Sequence, residues 1–179
     1  MKFFMKTALL AMLLQFSSSA KVLISIDEAI HNSFPKHKIE IEKKNILLNL
    51  QEMKIIQKDT KLKLHSRIVK TYFVKSEKKT IAYGVLTSRK IRSKNGVVLY
   101  LLDKNGKMLS IEIIAFNEPL EYLPNEAWKK QFENVEQNID LELGQNITPI
   151  TGATLSAKSA LEGARIAQAL YRTKLKEMR

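Results

Sequence analysis

The chain of 179 residues contains no cysteine. This absence excludes disulfides, a lipidated cysteine anchor, cysteine-ligated zinc and iron–sulfur clusters. The three histidines, His31, His37 and His65, are scattered and lack the spacing of a metal site or of a base that activates a nucleophile. The sequence shows neither a Ser/His/Asp constellation nor a phosphate-binding glycine loop. Redox chemistry in this protein would therefore require a cofactor that is held without thiol ligands.

Long hydrophobic runs are also absent after the first twenty residues. Those residues carry Lys2 and Lys6 near their start, continue with a short apolar stretch over residues 7–16, and end in Ser-Ser-Ser-Ala. This order is typical of a signal peptide, and the apolar stretch is shorter than the roughly 18 residues of a membrane span. We predict a signal peptide over residues 1–20, cleaved after Ala20, and a mature domain over residues 21–179. Its expected location is the periplasm or the extracytoplasmic face of the inner membrane, and an uncleaved anchor is the alternative.

Basic residues outnumber acidic ones, and the formal net charge is +12. Lys2 and Lys6 account for two of these charges, so the predicted mature domain keeps +10. The lysines are spread along the chain, aromatic residues are few, and no nucleic-acid-binding motif occurs. We therefore expect no nucleic-acid partner. The charge favours docking on an acidic protein or an anionic membrane surface, and a solvated lysine-rich surface is the alternative.

Hydrophobic periodicity predicts an α+β fold with a mostly antiparallel sheet packed against helices. Apolar residues alternate with the period of two that strands require, and turn signals such as Asn105-Gly106 separate the strands. Ser25-x-x-Glu28 and Asn49-x-x-Glu52 match the capping box that opens a helix. The expected strands cover residues 38–48, 67–74, 80–87, 97–102 and 108–116, and the expected helices cover residues 25–34, 49–58, 126–132 and 156–176.

One short run joins the predicted sheet to the long C-terminal helix and contains the candidate chemistry. Gly152 and Ala153 have almost no side chain, so another molecule can approach the backbone there. Thr154 presents a hydroxyl just before the expected helix start near Ser156. A helix N-terminus has unpaired N–H groups and the positive end of the helix dipole, which together favour a phosphate. The complete run is Thr151, Gly152, Ala153, Thr154, Leu155 and Ser156.

This run resembles the flavinylation motif of the FMN-binding domain family, whose pattern is Asp-x-x-Ser/Thr-Gly-Ala-Thr-x-Ser/Thr. The family includes the FMN-carrying subunits of the Rnf complex and of the sodium-pumping NADH:quinone oxidoreductase. In that family the last threonine of Gly-Ala-Thr carries FMN through a phosphoester bond, which a separate flavin transferase forms from FAD. The resemblance implies that Thr154 carries covalent FMN and that the neighbouring residues of the run belong to the cofactor site. The leading aspartate of the pattern is replaced here by Thr148.

Other residues extend or compete with this interpretation. Glu118 follows the last predicted strand, where the resembled family brings a glutamate close to the flavin, and a solvated carboxylate is the alternative. Lys158 falls in the first turn of the expected helix, where a positive charge is unfavourable unless an anion lies nearby. It is therefore a candidate phosphate contact, and a solvated lysine is the alternative. The hydroxyls of the run could instead serve only to cap the helix. Trp128 and Phe132, spaced as on one helix face, are predicted to be core residues rather than flavin-stacking groups.

The resemblance implies an electron carrier rather than an independent enzyme. A flavin exchanges one or two electrons, and the part of the protein is to tether, orient and tune it. A threonine hydroxyl is a weak nucleophile and no base is adjacent to Thr154 in the sequence, so attachment requires the transferase. A membrane or periplasmic redox partner is also expected. The alternatives are a small flavin-dependent reductase, and a non-redox binding protein whose flavin loop is degenerate at Thr148.

Overall fold

The computed structural model describes residues 21–178, and the predicted signal peptide lies outside them. The fold is α+β, as the sequence predicts. Five antiparallel strands form one sheet in the order β1-β2-β3-β4-β5, and the helices pack around it. The strands are β1 (Glu40–Leu47), β2 (Ile68–Ser76), β3 (Lys79–Lys90), β4 (Asn95–Asp103) and β5 (Met108–Phe116).

Two tight turns define one end of the sheet. Glu77 and Lys78 form the β2–β3 turn with φ of 50° and 64°, the left-handed geometry that two-residue hairpin turns need. In the β4–β5 turn, the Asp103 carboxylate accepts the backbone N–H groups of Asn105 at 2.7 Å and Lys107 at 2.9 Å. The opposite end, where β3 and β5 end and β4 begins, carries the candidate site.

The first two helices begin at the predicted caps. Ser25 Oγ accepts the Glu28 N–H at 3.1 Å, and Asn49 and Glu52 exchange reciprocal bonds of 2.8 Å. Within residues 21–178, no helix is long and apolar enough to cross a membrane. The helices are α1 (Ile26–Ser33), α2 (Leu50–Thr60), α3 (Glu126–Lys129) and α4 (Thr154–Thr173), with short 3-10 turns at Leu120–Tyr122, Lys130–Phe132 and Leu175–Glu177.

Both faces of the sheet are buried. Successive side chains of a strand point to opposite faces, so neighbouring residues join different cores. Phe73 and Tyr100 belong to the core beneath α2 and α4, whereas Tyr72 and Leu99 belong to the core beneath α1. The sheet therefore forms the middle layer of the fold and fixes where α4 begins relative to the strand ends.

Helix α4 lies close to the sheet because small residues separate the two. The Tyr100 hydroxyl donates to the Ala160 carbonyl at 2.9 Å, and a Cβ at Gly163 would lie 2.1 Å from that hydroxyl oxygen. Trp128 and Phe132 join the same core with ring centroids 5.2 Å apart, which confirms their predicted role. The predicted apolar stripe of α4 is entirely buried and consists of Ala157, Ala160, Leu161, Ala164, Ala167 and Tyr171.

The start of α4 differs from the prediction. The helix begins at Thr154, two residues earlier than expected, and Ala153 occupies the N-cap position without a side-chain cap bond. The alanine has no side-chain oxygen to accept an N–H of the first turn, the Thr154 hydroxyl donates to the Ile150 carbonyl, and Ser156 Oγ binds nothing within residues 21–178. Ser156 is instead the third residue of the helix and is buried. The interpretation of the hydroxyls at Thr154 and Ser156 as helix caps is therefore wrong.

Candidate functional site

An open groove at the β3–β4 end of the sheet contains most of the predicted run. Its volume is about 370 Å³, which falls within the usual range of small-ligand sites. The groove is lined by residues 152–156 together with Arg92 and Tyr122. Thr151 is exposed just outside this lining. The structure thus brings five of the six residues of the run to one surface.

The first turn of α4 presents unpaired backbone donors at this groove. Among residues 21–178, no acceptor binds the N–H groups of Thr154, Leu155 or Ser156. The preceding turn depends on Gly152, whose φ of 79° is rarely adopted by other residues, and a Cβ there would meet nothing within 4 Å. An anion above this turn would meet free donors and the positive end of a helix of 20 residues.

The Thr154 hydroxyl is exposed at the edge of the groove. It donates to the Ile150 carbonyl at 3.3 Å, which is a long bond for two oxygens. In the described part of the chain, no carboxylate or imidazole forms a hydrogen bond with this hydroxyl. The hydroxyl is therefore accessible from outside, but residues 21–178 supply no bonded base to activate it.

Ser156 contributes a hydroxyl of a different kind. The residue is only 3% exposed, and its Oγ has no hydrogen-bond partner within residues 21–178. It lines both the groove and an adjoining crevice of about 10 Å³ that reaches Pro124 and Ile113. A buried polar atom without a partner is unfavourable, and such atoms are typical of places where a ligand or an ordered water completes the bonding.

Arg92 and Tyr122 form the remaining wall of the groove, and no sequence pattern marks them. The Arg92 guanidinium carbon lies 4.8 Å from the centroid of the Tyr122 ring. Of the five arginines within residues 21–178, Arg92 alone has no carboxylate or carbonyl partner for its side chain. The other four arginine side chains bind acceptors on Leu48, Asp59, Asp140 and Glu162.

Glu118 lies beneath the loop that carries Arg92. The residue is 7% exposed, and its Oε1 accepts the consecutive backbone N–H groups of residues 92–94 at 3.1, 2.7 and 2.8 Å. The bond from Lys94 contributes most to holding the pKa of Glu118 below its usual value, against the opposite effect of burial. Glu118 therefore shapes the wall of the groove through this loop and is not part of the lining.

Lys158 and Thr148 flank the run on either side. Lys158 is exposed and does not line the groove, but it follows Thr154 by four residues and so lies on the same face of α4. The Thr148 carbonyl accepts the Trp128 indole N–H at 2.6 Å, and its own N–H donates to the Gln131 side chain at 2.8 Å. The segment that leads into the run is thus fixed to α3 and to the 3-10 turn that follows it.

No protein-family model matches the chain, and no curated protein matches it in sequence. The residues around the groove therefore carry the functional interpretation.

Proposed function

We propose that this protein is an exported flavoprotein that carries FMN covalently on Thr154 and relays electrons between redox partners. The observation that carries the proposal is the exposed Thr154 hydroxyl at the first residue of α4, on a groove with unpaired backbone N–H groups. This hydroxyl occupies the threonine position in the run that resembles a flavinylation motif.

The residues of the groove fit the phosphate end of such a cofactor. A phosphoester on Thr154 would put its charged oxygens at the N-terminus of α4, where free N–H groups and the helix dipole favour an anion. The buried Ser156 hydroxyl offers one further donor that has no partner within the described residues. Leu155 is 47% exposed beside the groove and provides apolar contact surface. These features support a phosphate-bearing, partly apolar ligand.

Attachment requires an external flavin transferase. Transfer from FAD joins the Thr154 oxygen to the phosphate of FMN, breaks the pyrophosphate bond, and releases AMP and the hydroxyl proton. No carboxylate or imidazole of residues 21–178 forms a hydrogen bond with the hydroxyl, so the transferase has to supply the base. The exposed position of Thr154 leaves the hydroxyl open to that enzyme.

The role of the chain is to hold and orient the cofactor. When bound, FMN supplies the exchange of one or two electrons, while the protein supplies position and electrostatics. A covalent tether would prevent loss of the cofactor by dilution outside the cytoplasm, where the predicted signal peptide directs the protein. The electron donor and acceptor would be membrane or periplasmic redox proteins.

The experiment compares Thr154→Val with the unmutated protein after co-expression with a flavin transferase. Denaturing electrophoresis with in-gel flavin fluorescence detects only covalent flavin. We expect a fluorescent band for the unmutated protein and none for Thr154→Val, because valine keeps the branched shape and removes the oxygen. Thr151→Val is the matched control. It removes a neighbouring exposed hydroxyl outside the groove, and it should reduce loading without abolishing it.

The outcomes separate the proposal from its alternatives. A fluorescent Thr154→Val band would place the bond on another residue. No fluorescence in the unmutated protein, despite an active transferase, would contradict covalent attachment and favour a non-redox binding protein. The replacement of the motif's aspartate by Thr148 is the feature that favours that second function.

A further inference from the structure

The groove contains an arginine whose guanidinium binds no acceptor among residues 21–178. Arg92 is exposed, and the other four arginines of residues 21–178 each bind an oxygen of the protein. Arg92 lies over the face of the Tyr122 ring at 4.8 Å. A guanidinium that stacks on an aromatic ring keeps its in-plane N–H groups free for an anion. The Arg92 guanidinium is therefore open to an anion that enters the groove.

The position of Arg92 is fixed by a buried carboxylate. Three consecutive backbone N–H groups of the loop converge on Glu118 Oε1, and the loop closes through the Ile91 N–H and the Lys94 carbonyl at 2.9 Å. The Ser93 hydroxyl also contacts this carboxylate, at 3.3 Å to Oε2. A carboxylate buried to this extent is stable only when its oxygens are bonded in this way. Glu118 thus ties together the loop that carries Arg92 through bonds within the protein.

We propose that Arg92 is the phosphate-binding residue on the wall of the groove facing α4, and that Glu118 is its positioning residue. The inference rests on the proposed function, since the phosphate is that of the FMN to be joined to Thr154. The groove then contacts the phosphate from two sides, with backbone donors from the first turn of α4 and the guanidinium from the β3–β4 loop. Arg92 would hold the phosphate group beside the hydroxyl that receives it.

A phosphate suits this arrangement better than an uncharged part of the flavin. The groove lining contains no carboxylate: Glu118 lies beneath the loop and outside the lining, and all the lining residues are neutral or basic. Guanidinium binds phosphate oxygens through paired hydrogen bonds, and the helix N-terminus favours the same charge. Recognition should therefore depend on the phosphate and little on the isoalloxazine ring. FMN and riboflavin differ only in that group and provide a direct comparison.

The test is a titration of the unmodified full-length protein, purified without a flavin transferase, with FMN and separately with riboflavin. Flavin fluorescence anisotropy reports binding of each. We expect FMN to bind at least about tenfold more tightly than riboflavin, as a charge-assisted contact implies. Arg92→Gln should remove most of this preference: the affinity for FMN should fall by about tenfold, and the affinity for riboflavin should change by less than about twofold. Arg92→Lys should retain part of the preference for FMN, because lysine keeps the positive charge but lacks the paired N–H groups of the guanidinium.

Two variants separate a positioning role from general loss of structure. Lys94→Gln removes a charge from the same loop but keeps the backbone N–H that bonds Glu118, so it should preserve the preference for FMN. Glu118→Gln should reduce the preference in the normal protein and add nothing in the Arg92→Gln background, since both act through one group. A Glu118→Gln variant that weakens FMN and riboflavin equally would show a merely structural role.

Equal affinity for the two flavins, or no binding of either, would overturn the inference. So would an unchanged preference for FMN in a folded Arg92→Gln variant. These results do not depend on covalent attachment, which in-gel fluorescence measures separately. Strong FMN binding that requires Arg92, without a fluorescent band, would support the phosphate site and contradict the covalent carrier.

Discussion

Replacing Gly163 by alanine tests how closely α4 must approach the sheet to place the groove. The added Cβ would lie 2.1 Å from the Tyr100 hydroxyl oxygen and 2.6 Å from the carbon that bears it. Both residues lie in the buried core, and the hydroxyl is held by the Ala160 carbonyl at 2.9 Å, so the ring has little room to move. Overpacking of this kind costs about 1–3 kcal/mol, and a strained hydrogen bond adds about 1 kcal/mol. Alanine in a helix recovers about 1 kcal/mol relative to glycine.

We therefore expect Gly163→Ala to lower the free energy of unfolding by about 1–3 kcal/mol. At this chain length that corresponds to a fall in melting temperature of roughly 2–4 °C per kcal/mol. Urea denaturation followed by circular dichroism measures the change. Lys158→Ala is the control, because it alters an exposed position of the same helix and should stay within about 0.5 kcal/mol. In a folded Tyr100→Leu background, which removes the clashing atoms, the effect of Gly163→Ala should disappear or change sign. A Gly163→Ala protein as stable as the original would refute this account of the packing.

Three further predictions follow from the site and the N-terminal sequence. The pKa of Glu118 is lower in the folded protein than in the unfolded chain, where it is near 4.5. The ionised carboxylate therefore stabilises the fold fully above that unfolded pKa, and this stabilisation is lost as the pH falls through the lower folded pKa. The stability difference between the original protein and Glu118→Gln should therefore shrink below about pH 4.5. Urea unfolding midpoints of both proteins at several pH values measure this difference. A difference that does not change with pH would contradict a stabilising role of the carboxylate. Thr148→Asp restores the pattern of the resembled motif and should raise the flavinylated fraction when transferase is limiting; in-gel fluorescence equal to that of the original protein would contradict this. N-terminal sequencing of protein from its native host should begin at Lys21, whereas a chain that still begins at Met1 in the membrane fraction would support the anchor.

The sheet and its helices could be predicted from the sequence because local signals agree with the final packing. Alternating apolar residues indicate strands, and the caps at Ser25 and Asn49 mark the first two helix starts. The start of α4 was less predictable, because hydroxyl residues near a helix are usually caps and the run contains three of them. The observed start depends on the turn at Gly152, whose positive φ brings Ala153 to the cap position.

The far wall of the groove had no sequence signal. Arg92 and Tyr122 are distant from the run along the chain, and they meet it only because β3, β5 and α4 all reach the same end of the sheet. Glu118 could be noticed as a strand-end carboxylate, but its bonds to the loop are tertiary contacts that periodicity does not indicate. The sequence therefore pointed to Thr154, the proposed attachment residue, but not to Arg92 and Tyr122, which line the same groove.

Peptide mass spectrometry of the protein isolated from its native host can detect covalent FMN on Thr154 directly. We expect the peptide containing Thr154 to be heavier by one FMN minus one water, and fragmentation to place this addition on Thr154 itself. An unmodified Thr154 peptide from a host that makes an active flavin transferase would contradict the account, and so would a flavin located on any other residue.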